Sequence, residues 1–352
     1  MKSAIVTQHN EFWRGHPDVA IFNKKFYVVF RESVSHQVND NTRIRIVTSL
    51  SGDRYSPPDT IAESENGRYN CPRLSVSNDK LWIVCDFVKN NGEFINAENE
   101  KDNTSIHMFY TEDGEKWHGP IETNITGIVP DRIFKTNDNH YLIATHIFYP
   151  REQRSLAVTK GSLGQNVWRT NNLEDPNSWA ERPVIAHKQF NLCEGSICRI
   201  KDKMIVCMMR ENSQVGLPAF VSYSWDEGKT WFGLNETRIW GCHRPVLGEL
   251  QSGNFLVTYR EQTSAFRDFF AKNTFAQLLD PKTLVAPFCN SAKDKLHRGI
   301  ILPLDHDKSP RSDGGYTGWL QLPNGKIYIV NYITYPHRLA YIKWYLIDET
   351  MF

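Results

Sequence analysis

The most specific local pattern in this chain is the stretch Ser224-Trp225-Asp226-Glu227-Gly228-Lys229-Thr230-Trp231. Its residue types predict a tight hairpin, because the aspartate accepts backbone N–H bonds within the turn and the glycine takes a conformation that strains other residues. A copy one residue shorter lies at Thr111-Glu112-Asp113-Gly114-Glu115-Lys116-Trp117. A degenerate copy lies at Ser49-Leu50-Ser51-Gly52-Asp53-Arg54-Tyr55. We assign Asp226 and Asp113 to these hairpins and do not expect them to be catalytic.

Around the hairpins, the chain repeats a longer pattern: an apolar strand, a short polar turn, a second apolar strand, a polar stretch and a third strand. Six copies begin near His16, Cys71, Val129, Cys193, Cys242 and Tyr316. Short β-rich segments separated by turn residues predict hairpins, and a repeat of such sheets is typical of a β-propeller, which leaves few exposed edges. We therefore predict an all-β fold with six four-stranded blades.

The two ends of the chain predict how the ring of blades closes. Residues 3–8 include the strand-like run Ala4-Ile5-Val6-Thr7, and the last copy finishes with residues 339–347. We expect the N-terminal run to add the outermost strand of the sixth blade. Because neither a long helical period nor a linker rich in Gly, Ser or Pro interrupts the pattern, residues 1–352 are predicted to form one domain.

The composition of the chain limits which classes of molecule it is expected to bind. The 41 Lys and Arg residues nearly balance the 40 Asp and Glu residues, whereas a protein that binds nucleic acid usually carries a basic stripe. Aromatic residues make up 12% of the chain, which suits an all-β protein or a carbohydrate site. No run of residues is long and apolar enough for a transmembrane helix. We expect neither nucleic acid nor a membrane as partner, and the oligomeric state stays open.

The N-terminal residues lack the apolar core of a secretory signal, so the sequence as written predicts a cytoplasmic protein. A secreted protein whose leader has been removed is the alternative.

The seven cysteines form no C-x-x-C pair, which predicts buried free thiols instead of disulfides or a zinc site. The sequence has no dinucleotide-binding, Walker or H-E-x-x-H motif, so we expect neither a cofactor nor a metal.

Together, the hairpin stretch and the six-copy repeat resemble the sialidase superfamily, whose Asp-box has the pattern S-x-D-x-G-x-T-W. Residues 224–231 fit that pattern at every fixed position, and the resemblance covers nearly the whole chain. The resemblance implies a sialidase-like six-bladed β-propeller. It also implies a retaining exo-glycosidase that releases a terminal acidic sugar, sialic acid or a relative, and hence a glycan as partner.

Charged residues cluster where the strands of a propeller approach its central axis. The starts of the first strands carry Arg14, Asp18, Arg73, Asp131, Arg132, Glu194 and Arg244. The ends of the second strands carry three equivalent pairs, Arg31-Glu32, Arg210-Glu211 and Arg260-Glu261. Clustered arginines bind anionic ligands, because a guanidinium group matches a carboxylate with two parallel hydrogen bonds. The structural alternative is a buried network in which such pairs link neighbouring blades.

The resemblance assigns roles to some of these residues. Sialidases bind the sugar carboxylate with three arginines, and the matching candidates are Arg14, which lies in an R-G-H-P run where the family has R-I-P, Arg210 and Arg244. We add Arg31 and Arg73 as substrate-binding candidates.

The family's nucleophile is a tyrosine activated by a glutamate, since phenol is a poor nucleophile until a carboxylate shares its proton. Tyr316 and Glu194 stand at those two positions. Their structural alternatives are an aromatic residue that lines the propeller core and an ion pair between blades.

The acid/base of a sialidase is an aspartate in the loop after the second strand of the first blade. In this chain the loop contains Asp40, which matches in type, His36, which is chemically suited to the role, and Glu32, a weaker candidate. Together with the altered R-I-P motif, this loop leaves the sugar open. Two further functions remain: another glycosidase or a polysaccharide lyase with a His or Tyr acid/base, and a propeller that binds glycans without catalysis.

Overall fold

A computed structural model of the chain describes residues 1–36, 42–89, 95–149, 162–185, 190–201, 204–213, 217–262, 271–284 and 300–352. These residues form six antiparallel four-stranded sheets, arranged as the blades of a ring. The predicted all-β, six-bladed propeller is therefore confirmed.

In each of the first three blades, the four strands follow one another from the axis to the rim. The first blade consists of β2 (Trp13–Phe22), β3 (Lys25–Ser33), β4 (Arg43–Ser49) and β5 (Asp59–Glu63). The second consists of β6 (Gly67–Ser77), β7 (Lys80–Lys89), β8 (Thr104–Thr111) and β9 (His118–Glu122). The third consists of β10 (Phe134–Lys135), β11 (Tyr141–Tyr149), β12 (Ser162–Thr170) and β13 (Ala180–Ile185).

The fourth and fifth blades keep this order, and the sixth combines both ends of the chain. The fourth consists of β14 (Leu192–Lys201), β15 (Met204–Glu211), β16 (Pro218–Ser224) and β17 (Phe232–Trp240). The fifth consists of β18 (Cys242–Glu249), β19 (Phe255–Glu261), β20 (Asn273–Leu279) and β21 (Ile300–His306). The sixth consists of β22 (Gly314–Gln321), β23 (Ile327–Ile333), β24 (Tyr341–Ile347) and β1 (Lys2–Thr7).

The N-terminal strand closes the ring as expected. Strand β1 pairs antiparallel with β24, with Lys2 opposite Leu346 and Ile5 opposite Lys343. The backbone N–H of Arg14 also donates to the carbonyl of Ala340, which ties the first blade to the sixth.

The core lies between the blades. The second strand of each blade is apolar on both faces because a neighbouring blade covers each face. Its central side chains are fully buried, as shown by Val28, Val84, Val206, Val257 and Val330. Polar side chains of the inner strands fasten one blade to the next, in bonds that include Leu74 N to Asp18 Oδ2 (2.9 Å), Ile133 N to Ser75 Oγ (2.9 Å), Ile197 N to Asp131 Oδ2 (2.8 Å) and Leu247 N to Ser196 Oγ (3.1 Å).

The hairpin at residues 224–230 joins β16 to β17, at the rim of the fourth blade. Asp226 Oδ1 accepts from the N–H of Thr230 at 2.9 Å, and Ser224 Oγ accepts from the N–H of Gly228 at 2.9 Å. Gly228 has a φ of 79°, in the region that favours glycine. The carboxylate of Asp226 is thus used within its own turn, far in the fold from the axis.

The α-helices that the structure describes, α1 (Glu100–Asn103) and α2 (Pro281–Leu284), have four residues each, too few to cross a membrane. Six cysteines are free and buried, namely Cys71, Cys85, Cys193, Cys198, Cys207 and Cys242. Cys289 lies outside the described residues.

Candidate active site

A repeated backbone feature directs side chains to the axis. At or beside the start of each inner strand one residue has a positive φ: His16, Cys71, Val129, Glu194, Arg244 and Gly315. In five of the blades the strand pairing shifts at this residue, as at a β-bulge. A residue other than glycine in this conformation costs on the order of 1–3 kcal/mol, and such residues concentrate at functional sites.

Tyr316 and Glu194 meet at the axis, as the sequence predicts. The hydroxyl of Tyr316 donates to Glu194 Oε1 at 2.6 Å, although the two residues belong to the sixth and fourth blades. Arg210 Nη1 donates to the same carboxylate oxygen at 2.9 Å and to the Tyr316 hydroxyl at 3.2 Å. The second carboxylate oxygen accepts the backbone N–H of Arg244 at 2.9 Å. The result is a buried tyrosine, glutamate and arginine with one shared hydrogen-bond network.

The charges around this network fix the protonation of its members. Burial by itself raises the pKa of Glu194, but the positive charges of Arg210 and Arg244 outweigh it and hold that pKa well below the ordinary value. Burial, and next the charge of Glu194, raises the pKa of Tyr316. At neutral pH the glutamate is therefore ionised and the tyrosine keeps its proton, so the phenol donates to a carboxylate that is ready to accept.

Arg260 is a member of the site to which the sequence analysis gave no separate role. Its guanidinium group lies 4.0 Å from the centre of the Tyr316 ring. Its Nε donates to the carbonyl of Gly314, and its Nη2 donates to the hydroxyl of Tyr332 at 2.5 Å. A Cβ at Gly315 would lie 2.7 Å from Arg260 Cβ, so only glycine allows this close approach. The signal in the sequence was the Arg-Glu pair at the end of β19.

A second carboxylate, Asp313, organises the opposite side of Tyr316. His36 Nδ1 lies 2.9 Å and 2.8 Å from its two oxygens. Trp13 Nε1 donates to Oδ2 at 2.8 Å, and the Tyr332 hydroxyl donates to Oδ1 at 3.1 Å. Lys272 Nζ lies 3.4 Å from Oδ1. Nothing in the sequence assigned a role to Asp313, which lies three residues before Tyr316.

His16 separates the two halves of the site. Its ring stacks on Tyr316 with the ring centres 5.2 Å apart, and it meets the edge of His36 at 5.1 Å. Cys71 Sγ lies 3.4 Å from His16 Nδ1. Burial lowers the pKa of His16 well below its ordinary value, and the neighbouring His36 and Arg31 lower it further. His16 is therefore a neutral, packed residue in contact with both the phenol and the partly exposed His36.

Arg14 does not reach the axis. Its guanidinium group forms an ion pair with Glu32 (2.6 Å), and its Nη1 donates to the carbonyl of Gln8 at 2.9 Å and to Thr7 Oγ1. Successive strand residues face opposite sides, so the side chain that turns toward the axis is Trp13. The Trp13 ring covers Gly15, where an added Cβ would lie only 2.2 Å from it. Arg14 thus binds protein atoms in this structure, and its contact with a substrate carboxylate stays a prediction.

Arg73 and Arg244 also bind protein atoms. Arg73 Nη1 donates to the carbonyl of Thr317 at 2.8 Å, and Arg244 donates to the carbonyls of Val129 (3.1 Å) and Pro130 (2.6 Å). Together with His16, Cys71 and Tyr316, they line a narrow space that has no room for a water molecule. In this structure both arginines bind backbone carbonyls of neighbouring blades, and their contact with substrate stays a prediction.

Arg31 and Arg210 remain beside the exposed part of the site. Arg31 Nη1 donates to the carbonyl of His36 at 3.0 Å, and its guanidinium group lies 5.3 Å from the Trp13 ring. Burial lowers the pKa of Arg31 to about 10, so it stays charged at neutral pH. Arg210 contacts Tyr316 directly. The guanidinium groups nearest the tyrosine are therefore those of Arg210 and Arg260.

The three Arg-Glu pairs do not pair internally, because adjacent residues on a strand face opposite sides. The arginines face the axis, whereas the glutamates bind within their own blades: Glu32 to Arg45 (3.2 Å), Glu211 to Ser213 Oγ (2.6 Å) and Glu261 to Asn273 (2.9 Å). Asp40, the other acid/base candidate, lies outside the described residues. Within the described part of the chain, no group of three or more His, Cys, Asp or Glu residues is arranged to hold a metal ion.

Comparisons with known proteins identify the architecture. No protein-family model matches the chain, and no curated protein matches its sequence. A solved structure of a protein of unknown function from Dyadobacter fermentans is similar over 98% of this chain and 97% of its own, with a TM-score of 0.77 and 14% identity. The Hadza microbial sialidase Hz136 is similar over 96% of this chain and 66% of its own, with a TM-score of 0.68 and 14% identity.

Trypanosoma rangeli sialidase in complex with sialic acid is similar over 94% of this chain, with a TM-score of 0.65 and 11% identity. The similar part is 54% of that sialidase, so this chain spans about half of its length.

Proposed function

Because this chain has the sialidase-like six-bladed propeller fold, we propose that it is a retaining exo-glycosidase that releases a terminal acidic sugar with Tyr316 as nucleophile. The observation that carries the proposal is the 2.6 Å hydrogen bond from the Tyr316 hydroxyl to Glu194. A phenol in contact with an ionised carboxylate can lose its proton as it attacks, which makes it a competent nucleophile.

In the first step, Tyr316 Oη forms a bond to the anomeric carbon while its proton passes to Glu194. The glycosidic bond breaks, and the leaving oxygen takes its electron pair together with a proton from the acid/base, Asp40 or His36. In the second step, the acid/base removes a proton from water, the water oxygen bonds to the anomeric carbon, and Tyr316 leaves and recovers its proton from Glu194. The configuration is inverted twice and therefore retained.

An acidic sugar is favoured by the charges around the tyrosine. Arg210 contacts its hydroxyl and Arg260 covers its ring, while Glu194 is the carboxylate in direct contact with it. A neutral phenol next to two guanidinium groups does not repel an anionic substrate, whereas a carboxylate nucleophile would. Guanidinium groups also bind carboxylates with two parallel hydrogen bonds.

A test of the proposal is covalent capture. We expect a 2,3-difluorinated sialic acid to label the wild-type protein, and we expect the label on the peptide that contains Tyr316. Tyr316→Phe should remain unlabelled and should lose several orders of magnitude in turnover of an aryl sialoside, because it removes the nucleophile itself. The matched control is Tyr110→Phe on strand β8 of the second blade, which should be labelled normally.

Three results would point elsewhere. Unchanged turnover in Tyr316→Phe would make Tyr316 a lining residue. Unsaturated products from uronic-acid polymers would indicate a polysaccharide lyase. Binding of an acidic sugar without any turnover would indicate a propeller that only binds glycans.

A further inference from the structure

We propose that His36 is the acid/base of this site and that Asp313 is the residue that positions it. The inference rests on the proposed glycosidase function and deepens it, because it names the group that exchanges a proton with the leaving oxygen. It also departs from the arrangement that the family resemblance implies, in which an aspartate alone has that role.

The contact between the two side chains fixes which ring nitrogen is available. Both carboxylate oxygens of Asp313 lie within 2.9 Å of His36 Nδ1. An ionised carboxylate can only accept hydrogen bonds, so the proton lies on Nδ1 and the other nitrogen, Nε2, is the one that gains and loses a proton. Among the described residues, none hydrogen-bonds to Nε2. The His36 side chain is 32% exposed, against 15% for Asp313.

Asp313 is held as an anion from several directions. Besides His36, it accepts from Trp13 and Tyr332, and its own backbone N–H donates to Asp307 Oδ2 at 2.8 Å. Burial by itself raises the pKa of Asp313, but the hydrogen bond and charge of His36, followed by the charges of Arg260 and Lys272, hold it well below the ordinary value. A carboxylate fixed in this way restricts the ring of the histidine and holds a proton on Nδ1.

The position of His36 fits proton exchange with a sugar bound over Tyr316. Both rings contact His16, with ring centres 5.1 Å and 5.2 Å from its own, and His36 also packs against Trp13 at 5.1 Å. The titratable and charged groups that face His36 come from several elements: His16 from β2, Arg31 from β3, Asp313 before β22, Tyr332 from β23 and, through Asp313, Arg260 of β19 and Lys272 before β20.

His36, held by Asp313, accounts for the proton given to the leaving oxygen and for the proton taken from water. In the first step the proton on Nε2 of His36 passes to the leaving oxygen as the glycosidic bond breaks. The ring becomes neutral and keeps its Nδ1 proton, which stays hydrogen-bonded to Asp313. In the second step neutral Nε2 takes a proton from the attacking water. Asp313 remains ionised throughout and gains no proton, so it acts on the reaction only through His36.

Substrates with different leaving groups test the assignment. A sialyl-lactose has a poor leaving group that needs protonation, whereas a nitrophenyl sialoside leaves with little help from an acid. For His36→Ala and Asp313→Asn we expect turnover of sialyl-lactose to fall by about 100-fold or more. With the nitrophenyl sialoside we expect a rapid release of one equivalent of nitrophenol, followed by slow turnover, because the second step lacks its base.

Azide supplies a nucleophile that needs no base. Added azide should restore turnover of the nitrophenyl substrate by both variants and should yield a glycosyl azide of retained configuration.

A conservative variant tests the positioning role of Asp313. Asp313→Glu should recover part of the sialyl-lactose activity of Asp313→Asn. The control Asp59→Asn removes an exposed carboxylate on β5 and should match the wild type.

The outcomes separate the two proposals. If the wild type hydrolyses neither substrate and takes no label from the fluorinated sugar, the proposed function fails and this inference fails with it. If the wild type is active but the variants lose activity equally on both substrates without azide rescue, Asp313 and His36 have only a structural role. Full activity of His36→Ala on sialyl-lactose would assign the acid/base to another residue, such as Asp40.

Discussion

Asp18 and Glu194 are both buried carboxylates on inner strands, and guanidinium groups hold both of them. Asp18 accepts only from groups that keep their protons, chiefly the backbone N–H of Leu74 and the guanidinium group of Arg132. Glu194 accepts from an arginine as well, but also from the Tyr316 hydroxyl at 2.6 Å. The first carboxylate joins three blades. The second has a partner that can give up its proton, and this difference distinguishes the proposed reactive site from a structural contact.

Removal of the charge of Asp18 should have the largest effect on the fold. In Asp18→Asn, Arg132 and the buried Arg73 lose their counter-charge, and such changes cost about 3–5 kcal/mol. We expect urea unfolding to show a loss of that size, while the turnover of the molecules that remain folded stays close to that of the wild type. A variant with normal stability and reduced turnover would place Asp18 in the reactive site and end the comparison.

Glu194→Gln should affect the reaction more than the fold. The amide cannot take the phenol proton, so we expect turnover to fall by about 100- to 1,000-fold. The loss of unfolding free energy should be smaller than in Asp18→Asn, because only Arg210 loses its ion pair and Arg210 still contacts Asn212. Steady-state kinetics and urea unfolding of the two variants, measured side by side, test this order. Equal losses of stability in both variants with intact turnover would contradict it.

The smallest expected effect is a loss of unfolding free energy at acidic pH. Although burial opposes it, the neighbouring cations lower the pKa of Asp18, Glu194 and Asp313 in the folded state. The stabilisation is therefore complete above the unfolded pKa of about 4 and is lost as the pH falls below it, because the unfolded chain then binds more protons. We expect the unfolding free energy of the wild type to fall below about pH 5, and that of Asp18→Asn to fall less steeply. Parallel curves would show that Asp18 contributes nothing to acid sensitivity.

The sequence predicted the fold and the Tyr316–Glu194 contact for the same reason. Both follow from the position of a residue within a repeat, and a ring brings equivalent positions to one axis. The strand–turn–strand copies could be counted, so the convergence of Tyr316 and Glu194 from different blades could be expected before any contact was known.

The arginines were harder to place because a bulge changes which side of the strand a residue faces. Arg14 stands next to the matching motif, yet Trp13 takes the axial side and Arg14 turns to Glu32. A pattern of residue types does not reveal this shift. The partnership of Asp313 with His36 was also hidden, since these residues are far apart in the chain and neither repeats in the other blades.

The pairing of β1 with β24 has a consequence for the order of synthesis. Strand β1 is made before the other strands and β24 after them, so the sixth sheet cannot be completed while the chain is still being translated. Tyr316 lies in the sixth sheet, whereas Glu194, to which its hydroxyl donates, lies in the fourth. The nascent protein therefore carries an open ring until its last blade emerges, and the hydrogen bond between Tyr316 and Glu194 forms only after that.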